Sequence, residues 1–433
     1  MRLLFPKRHK QPCGKAPAPT LRNEDGMRKI RETLKLLLPA AAIAVIVYLA
    51  ANAFFMRVLP ESTALAQTEE SAQEEAWTEE EEGRPAEETQ DGYAFSRLGE
   101  EDALLYRELY EAVTGYVTDA SLSVQDADRI ERVFACVMAD HPEIFYVDGY
   151  TLTTHALGED IQDVSFQAEY TFTRQQAQER LLRVEEKADA VLSTLTEDMD
   201  DYEKLKTLYE SIVTGTEYDL QAPENQTICS VFLYGKSVCQ GYAKAFQYLC
   251  QRAGIPAVLV TGTVENGTPH AWTAVCCRGE WYYADPSWGD VSYRTEDAEE
   301  AGMEENGAEA DGLREQVDYD FFLVTTEQIS RTHTADVPFP LPECVSLTDN
   351  YYVREGLYFT RADMEQVAKA FETAAQEERG SVTLKCADET VYEALYERLL
   401  TQQEIFQYLQ GDSVSFAVSQ EQLTLTFWRT SEL

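Results

Sequence analysis

The stretch Ser237-Val238-Cys239-Gln240-Gly241-Tyr242-Ala243-Lys244-Ala245-Phe246 decides how the chain folds. Phe246, Leu249, Cys250 and Ala253 continue it at i, i+3, i+4 and i+7, which is one apolar face of a helix. Gly254 and Pro256 then end that helix in the expected order. Cys239 is therefore predicted at a helix N-terminus. Unpaired N–H groups and the positive end of the macrodipole stabilise a thiolate there, and the thiolate is the form that attacks carbonyls.

Working outward, Tyr202 to Val213 reads as a preceding helix, and Ala257–Val264, His270–Cys277 and Glu280–Ala284 read as strands. Asn266-Gly267 and Arg278-Gly279 are the turn signals between them. If the second turn has two residues, Cys277 faces Glu280, and Asp285 falls opposite Trp272 and diagonal to His270 on one sheet face. Diagonal neighbours are roughly 7–8 Å apart at the backbone, within reach of an imidazole and a carboxylate. A turn of four residues would set Asp285 directly opposite His270, whereas one of three would send the two to opposite faces. An even turn thus gathers a cysteine, a histidine and an aspartate, which can serve as the nucleophile, base and orienting group of covalent acyl transfer.

The order Cys239, His270, Asp285, carried by SVCQGYAKAF (237–246), GTPHAWTAV (267–275) and YYADPSWGD (282–290), is similar to the transglutaminase-like core, a branch of the papain-like cysteine enzymes. The resemblance covers roughly residues 198–290, and the flanks resemble, more weakly, membrane-anchored bacterial proteins that carry this core. It implies an α+β fold with a helix bundle packed on an antiparallel sheet. It also implies Cys239 as nucleophile, His270 as general base and acid, and Asp285 as orienting group. In that mechanism the Cys239 backbone N–H is one oxyanion donor and Gln240 a candidate for another. Trp272 and Trp288 belong to an aromatic group, with Trp281 and Tyr283, around His270 and Asp285. With Tyr242 they are candidates to shield the site from water or to bind an acyl side chain. No cofactor is implied, and no metal, because the histidines show no ligand spacing.

The rest of the chain supplies context. Its 433 residues carry 36 Lys+Arg against 77 Asp+Glu, a formal net charge of −41. Residues 1–60 hold 11 Lys/Arg against 3 Asp/Glu, which leaves a net −49 on the remainder. Such a body repels phosphate backbones, and nucleic acid is excluded as a partner. Leu36 to Phe55 run 20 residues without a charge, long enough as a helix to cross a hydrocarbon core of roughly 30 Å. Ten Lys/Arg precede it, so residues 1–35 are expected to be a cytoplasmic tail, 36–56 a membrane helix, and all that follows extracellular. Ala64-Leu65-Ala66 resembles a signal-peptide cleavage site but lies eleven residues past Phe55, which favours an uncleaved anchor.

Residues 57–91 are expected to be an acidic, disordered linker, with 12 Asp/Glu and one Arg between 61 and 91. Residues 92–197 read as an N-terminal α+β packing domain, 198–342 as the catalytic domain with an acidic loop at 295–316, and 343–433 as a small C-terminal α+β domain. The last is predicted as strand 351–359, helix 361–376, strand 381–386, helix 389–403 and strands 413–419 and 422–428. Nine cysteines without a C-x-x-C pair argue against a disulfide scaffold or zinc module. The function expected from these features is a single-pass, membrane-anchored, extracellular thiol enzyme acting on protein or peptide amides, including those of the cell wall. A cysteine peptidase or amidase on the same core, and a non-catalytic cell-surface interaction module, are the alternatives.

Overall fold

The computed structural model describes residues 92–428 apart from 158–159, 265–266, 291–316 and 410–413. The tail, membrane helix and linker expected over 1–91, and the acidic loop expected at 295–316, lie outside the described residues. No described helix is long and apolar enough to cross a membrane.

The described body mixes helix and strand. It opens with α1 (Glu100–Thr114), β1 (Ala120–Ser121), α2 (Ala127–Asp140), β2 (Val147–Leu157), β3 (Asp160–Tyr170) and α3 (Arg174–Leu192). Asp126 and Thr173 begin α2 and α3 as side-chain caps, each accepting from a backbone N–H in the first turn. Next come α4 (Asp201–Gly215), the short parallel pair β4 (Glu217–Tyr218) and β5 (Lys236–Ser237), and α5 (Cys239–Arg252). The hairpin strands β6 (Ala257–Val264), β7 (Thr268–Cys277) and β8 (Glu280–Ala284) follow, and β9 (Thr334–Ala335) completes a sheet in the order β8-β7-β6-β9.

Both faces of this sheet are covered. Val258, Val260, Trp272 and Ala274 join a core with Leu105, Leu109, Ile130 and Val133 of α1 and α2. Val275, Cys277 and Tyr282 join a second core with Tyr209 of α4 and Phe246 and Leu249 of α5. Two-sided burial explains why β7 reads as a nearly continuous apolar run rather than an alternating one. Helix α5 is buried from Gly241 to Cys250, and Phe246 and Leu249 alone contribute on the order of 3–6 kcal/mol before chain entropy is counted.

Beyond β9 the chain forms a four-stranded sheet, β10 (Tyr358–Phe359), β11 (Ser381–Cys386), β13 (Thr424–Trp428) and β12 (Ser415–Ser419) in spatial order, packed on helices Met364–Gln376 and Glu389–Tyr396. The strand expected at 351–359 is a correction. Tyr351–Arg354 is a helical turn capped by Asn350, whose Oδ1 accepts from Tyr352 N–H, and Gly356 at φ 71° reverses the chain before β10. A buried ion pair, Lys385 Nζ to Asp320 Oδ1 at 3.2 Å, ties β11 to the segment after the acidic stretch. Tyr352 donates to the same Asp320 oxygen at 2.9 Å. Segment 317–324 reaches the candidate site as well, so the C-terminal sheet helps to position it.

Candidate active site

Helix α5 starts at Cys239 with Val238 as its N-cap, and no side chain caps it. Val238 has no side-chain acceptor to cap the turn; Gly241 and Tyr242 N–H donate to the Val238 carbonyl at 2.9 and 3.1 Å, leaving the Cys239 and Gln240 N–H groups for an anion at this end. The turn fits only because residue 241 is glycine. A Cβ there would lie 1.9 Å from Ser237 Oγ and 2.9 Å from the Asn225 carbonyl oxygen.

Strand β7 delivers His270. The β7–β8 turn has two residues, Arg278 and Gly279, both at positive φ (51° and 87°), and pairs Cys277 with Glu280. Continuing that register past Thr273↔Ala284 sets Asp285 opposite Trp272 and diagonal to His270. The diagonal closes: His270 Nε2 lies 2.7 Å from Asp285 Oδ2. Asp285 is fully buried and its other oxygen, Oδ1, accepts from Ser287 N–H (2.9 Å), Ser287 Oγ (2.7 Å) and Trp288 N–H (3.2 Å). Its own N–H donates to Phe321 O at 2.9 Å, and Tyr209 Oη donates to its carbonyl at 3.0 Å.

Burial raises the Asp285 pKa, but the imidazoles of His270 and His333 outweigh it and hold the carboxyl well below the usual range. An ionised carboxylate only accepts, so His270 Nε2 carries the proton. Nδ1 is then the basic atom, and the Cys239 sulfur is near enough to act on the charge of the ring. Burial pulls the imidazolium pKa down, while Asp285 and then Cys239 push it up, to about 10.

Cys239 is half-buried and free, as are the other cysteines among the described residues, so no bridge to Cys229 removes it. Burial pushes the thiols of Cys136, Cys229, Cys344 and Cys386 up to about 12 and that of Cys250 well above its ordinary value. These thiols stay protonated and inert at neutral pH.

A histidine given no role in the sequence reading stands beside the pair. His333 Nε2 lies 3.2 Å from the same Asp285 Oδ2, and its Nδ1 lies 2.7 Å from Thr332 Oγ1. Trp288 packs at 5.6 Å from His270 and 4.6 Å from His333, ring centre to ring centre, and Trp272 at 6.3 Å and 4.9 Å. Trp272 Nε1 is buried and has no hydrogen-bond partner among the described residues. Gly262 makes room for this packing, because a Cβ there would meet Thr334 O at 2.1 Å and Trp272 Cη2 at 2.9 Å.

Residues 189–286 match the family model of the transglutaminase-like superfamily. This segment is a transglutaminase-like domain. The chain is 28% identical to Kyphoscoliosis peptidase of Mus musculus over 117 residues, covering 23% of this chain and 18% of that protein. The Homo sapiens protein of that name is 26% identical over 117 residues with the same shares. The match thus spans less than a fifth of the length of these curated relatives. Among solved structures, a TGase is similar at 15% identity, covering 33% of this chain and 44% of its own, with a TM-score of 0.24. The periplasmic domain of TgpA from Pseudomonas aeruginosa is 16% identical over 35% of this chain and 65% of its own, with a TM-score of 0.21.

Cys239, His270, Asp285 and Trp272 of the matched segment are brought together, with Trp288 and His333 added from outside it. Tyr242 is not among them, which corrects its expected contact with substrate. It is fully buried, and its hydroxyl lies 2.8 Å from both Thr216 O and Asp290 Oδ2, on the core side of α5. Gln240 is half-buried in the first turn of α5. The sequence shows no metal-ligand spacing, yet the fold gathers one nitrogen each from His270 and His333 and an oxygen from Asp285 within 4.8 Å. In this structure both histidines hydrogen-bond the Asp285 carboxylate. A cavity of about 320 Å³ lined by Tyr319, Tyr351, Thr383, Thr426 and Trp428 lies against the C-terminal sheet and includes none of the three site residues.

Proposed function

We propose that this chain is a thiol enzyme that acylates Cys239 with a carboxamide or peptide carbonyl and passes the acyl group to an amine or to water. The 2.7 Å contact between His270 Nε2 and Asp285 Oδ2, which leaves Nδ1 as the basic atom of a ring on which Cys239 at the uncapped tip of α5 also acts, carries the reading. The Cys239 thiolate bonds to the carbonyl carbon while first-turn N–H groups, with Gln240 as candidate, receive the negative oxygen. The C–N bond breaks, its electron pair stays on nitrogen, and His270 Nδ1 gives the leaving amine a proton. A thioester results. In the second half an incoming amine or water gives its proton to Nδ1 as it bonds to the acyl carbon, and the C–S electron pair returns to sulfur. Asp285 holds the neutral ring in place through the thioester stage and stabilises the imidazolium that precedes acylation and re-forms in deacylation.

Kyphoscoliosis peptidase is named for hydrolysis, and hydrolysis by water is the second reading of the same site. The proposal extends to place and partner. Residues 36–56 anchor the chain in a membrane, and the substrate is a protein or peptide at the cell surface. An iodoacetamide probe tests the chemistry first. Cys239 should label at neutral pH, and His270→Ala should slow that labelling several-fold. Labelling of Cys239 that His270→Ala leaves unchanged removes the enzyme reading and leaves a surface interaction module. Amine incorporation into a glutamine-bearing protein, compared with peptide cleavage, then separates transfer from hydrolysis.

A further inference from the structure

We infer that His333 is a second positioning residue of the site: a neutral imidazole that shares the Asp285 carboxylate with His270 and limits how strongly it holds the His270 proton. The inference rests on the proposed thiol chemistry and adds to it a residue outside the matched segment 189–286.

Hydrogen bonds engage both ring nitrogens of His333. The Asp285 carboxylate only accepts, so the 3.2 Å contact places a proton on His333 Nε2. Thr332 Oγ1 lies 2.7 Å from His333 Nδ1 and 3.5 Å from the Ile329 carbonyl, and in the state we infer its hydroxyl donates along the shorter contact, to Nδ1. An Nδ1 that accepts is unprotonated, and the ring is neutral. It is also held on all sides, by Trp272 at 4.9 Å, Trp288 at 4.6 Å and Phe321 at 5.4 Å between ring centres. Strand β9 begins at the next residue, pairing Thr334 with Thr263 and Ala335 with Gly262, and Gly262 is also the partner of His270 across β7. Gly262 thus lies between the strands that bring both imidazoles to the same carboxylate oxygen.

The consequence is electrostatic. Asp285 Oδ2 receives two N–H donors, so each takes a share of its negative charge. Without His333, the full charge of that oxygen would act on His270, and the imidazolium would be harder to deprotonate. A base that must release its proton to a leaving amine works best when its pKa is nearer the operating pH. The titratable groups facing His270 are Cys239 from α5, Asp285 after β8, and His333, whose ring packs edge-on at 5.3 Å between centres; Tyr209 of α4 reaches the Asp285 carbonyl. The other neighbours, Trp272, Trp288 and Phe321, do not titrate.

The test uses the full chain labelled with 15N-histidine, whose five histidines are resolvable by NMR. In the wild type, His333 is expected as a neutral ring protonated on Nε2 at neutral pH; a proton on Nδ1 overturns the inference. His333→Phe, checked for fold by circular dichroism, should raise the His270 titration midpoint by about half to one pH unit, the size of one hydrogen bond. His333→Gln, whose amide can donate from a similar position, should return it towards the wild-type value. An unmoved His270 midpoint in His333→Phe overturns the inference. If that variant does not fold, Thr332→Val keeps the imidazole but frees its tautomer, and an unchanged His333 nitrogen spectrum overturns the inference instead. Failure of the underlying reading is separate. It would show as a His270 midpoint indifferent to Cys239→Ala in the otherwise wild-type chain.

Discussion

Asp285 lies two strand positions from His270 because Arg278 and Gly279 alone turn β7 into β8, and that offset is what brings Oδ2 to 2.7 Å from Nε2. The relationship is a parity condition. Strand side chains alternate, so one additional residue in the turn would place the carboxylate on the other face of the sheet. Inserting a single glycine between Arg278 and Gly279 should therefore slow iodoacetamide labelling of Cys239 several-fold at neutral pH. Inserting two should restore part of the rate, and labelling rates measured by mass spectrometry check both.

Replacing Asp285 by Asn removes the charge that keeps His270 protonated up to about pH 10. The sign follows from a raised folded-state pKa. The pair's contribution to stability is complete below the ordinary histidine value near 6.5 and is lost as pH rises through about 10. In Asp285→Asn the His270 midpoint should drop by more than one pH unit and acyl transfer should fall by about 10²–10⁴-fold. Urea melts across pH 6–10 should show the wild type's advantage shrinking towards the alkaline end.

Lys244 has the opposite dependence. It is buried on α5, and desolvation lowers its pKa to about 8 from an ordinary 10.5. Folding therefore opposes its charged form, a penalty of roughly 3 kcal/mol that is complete below pH 8 and gone above about 10.5. Lys244→Met should stabilise the chain at pH 7 by up to that amount, with the gain fading between pH 8 and 10.5 in denaturant titrations.

Gly241→Ala should destabilise by about 1–3 kcal/mol, since its Cβ meets Ser237 Oγ and the Asn225 backbone and pushes the first turn of α5 away. Ser237→Gly in the same chain should recover part of the loss by removing the nearer atom, leaving the backbone clash. A double-mutant cycle on unfolding free energy, with Cys239 labelling as the second readout, measures the coupling.

What was legible in the sequence was what local pattern encodes. The 3.6-residue apolar period and its glycine and proline stops set α5 and put Cys239 at its start. The strand limits Ala257–Val264 and Glu280–Ala284 are those observed, because turn residues bracket them. The His270–Asp285 diagonal followed from a two-residue turn whose first residue, Arg278, takes a positive φ that glycine would normally supply. His333 was not legible: it reaches Asp285 across 48 residues through a strand of only two, which leaves no periodic trace. Tyr242 was misplaced because proximity in sequence to Cys239 does not say which side of a helix faces the reaction. The turn at Tyr351–Arg354 was missed because its aromatic residues favour strand, whereas the cap that decides it is the side chain of Asn350.

Whether the thioester meets an amine or water depends on what covers it, and Trp288 is the residue to change. Its half-buried ring leans on His270, His333 and Phe321, the last at 4.8 Å, so it closes the apolar side of the imidazole pair. Trp288→Ala would open a path for water while leaving Cys239, His270 and Asp285 in place. Burial is what opposes the His270 charge, so the opened site should also move the His270 midpoint up. The expected outcome is a several-fold rise in hydrolysis relative to amine incorporation, with Trp288→Phe close to the wild type. Product partitioning from a single acyl donor, at fixed amine concentration, measures it. An unchanged ratio in Trp288→Ala would assign the ring to packing alone.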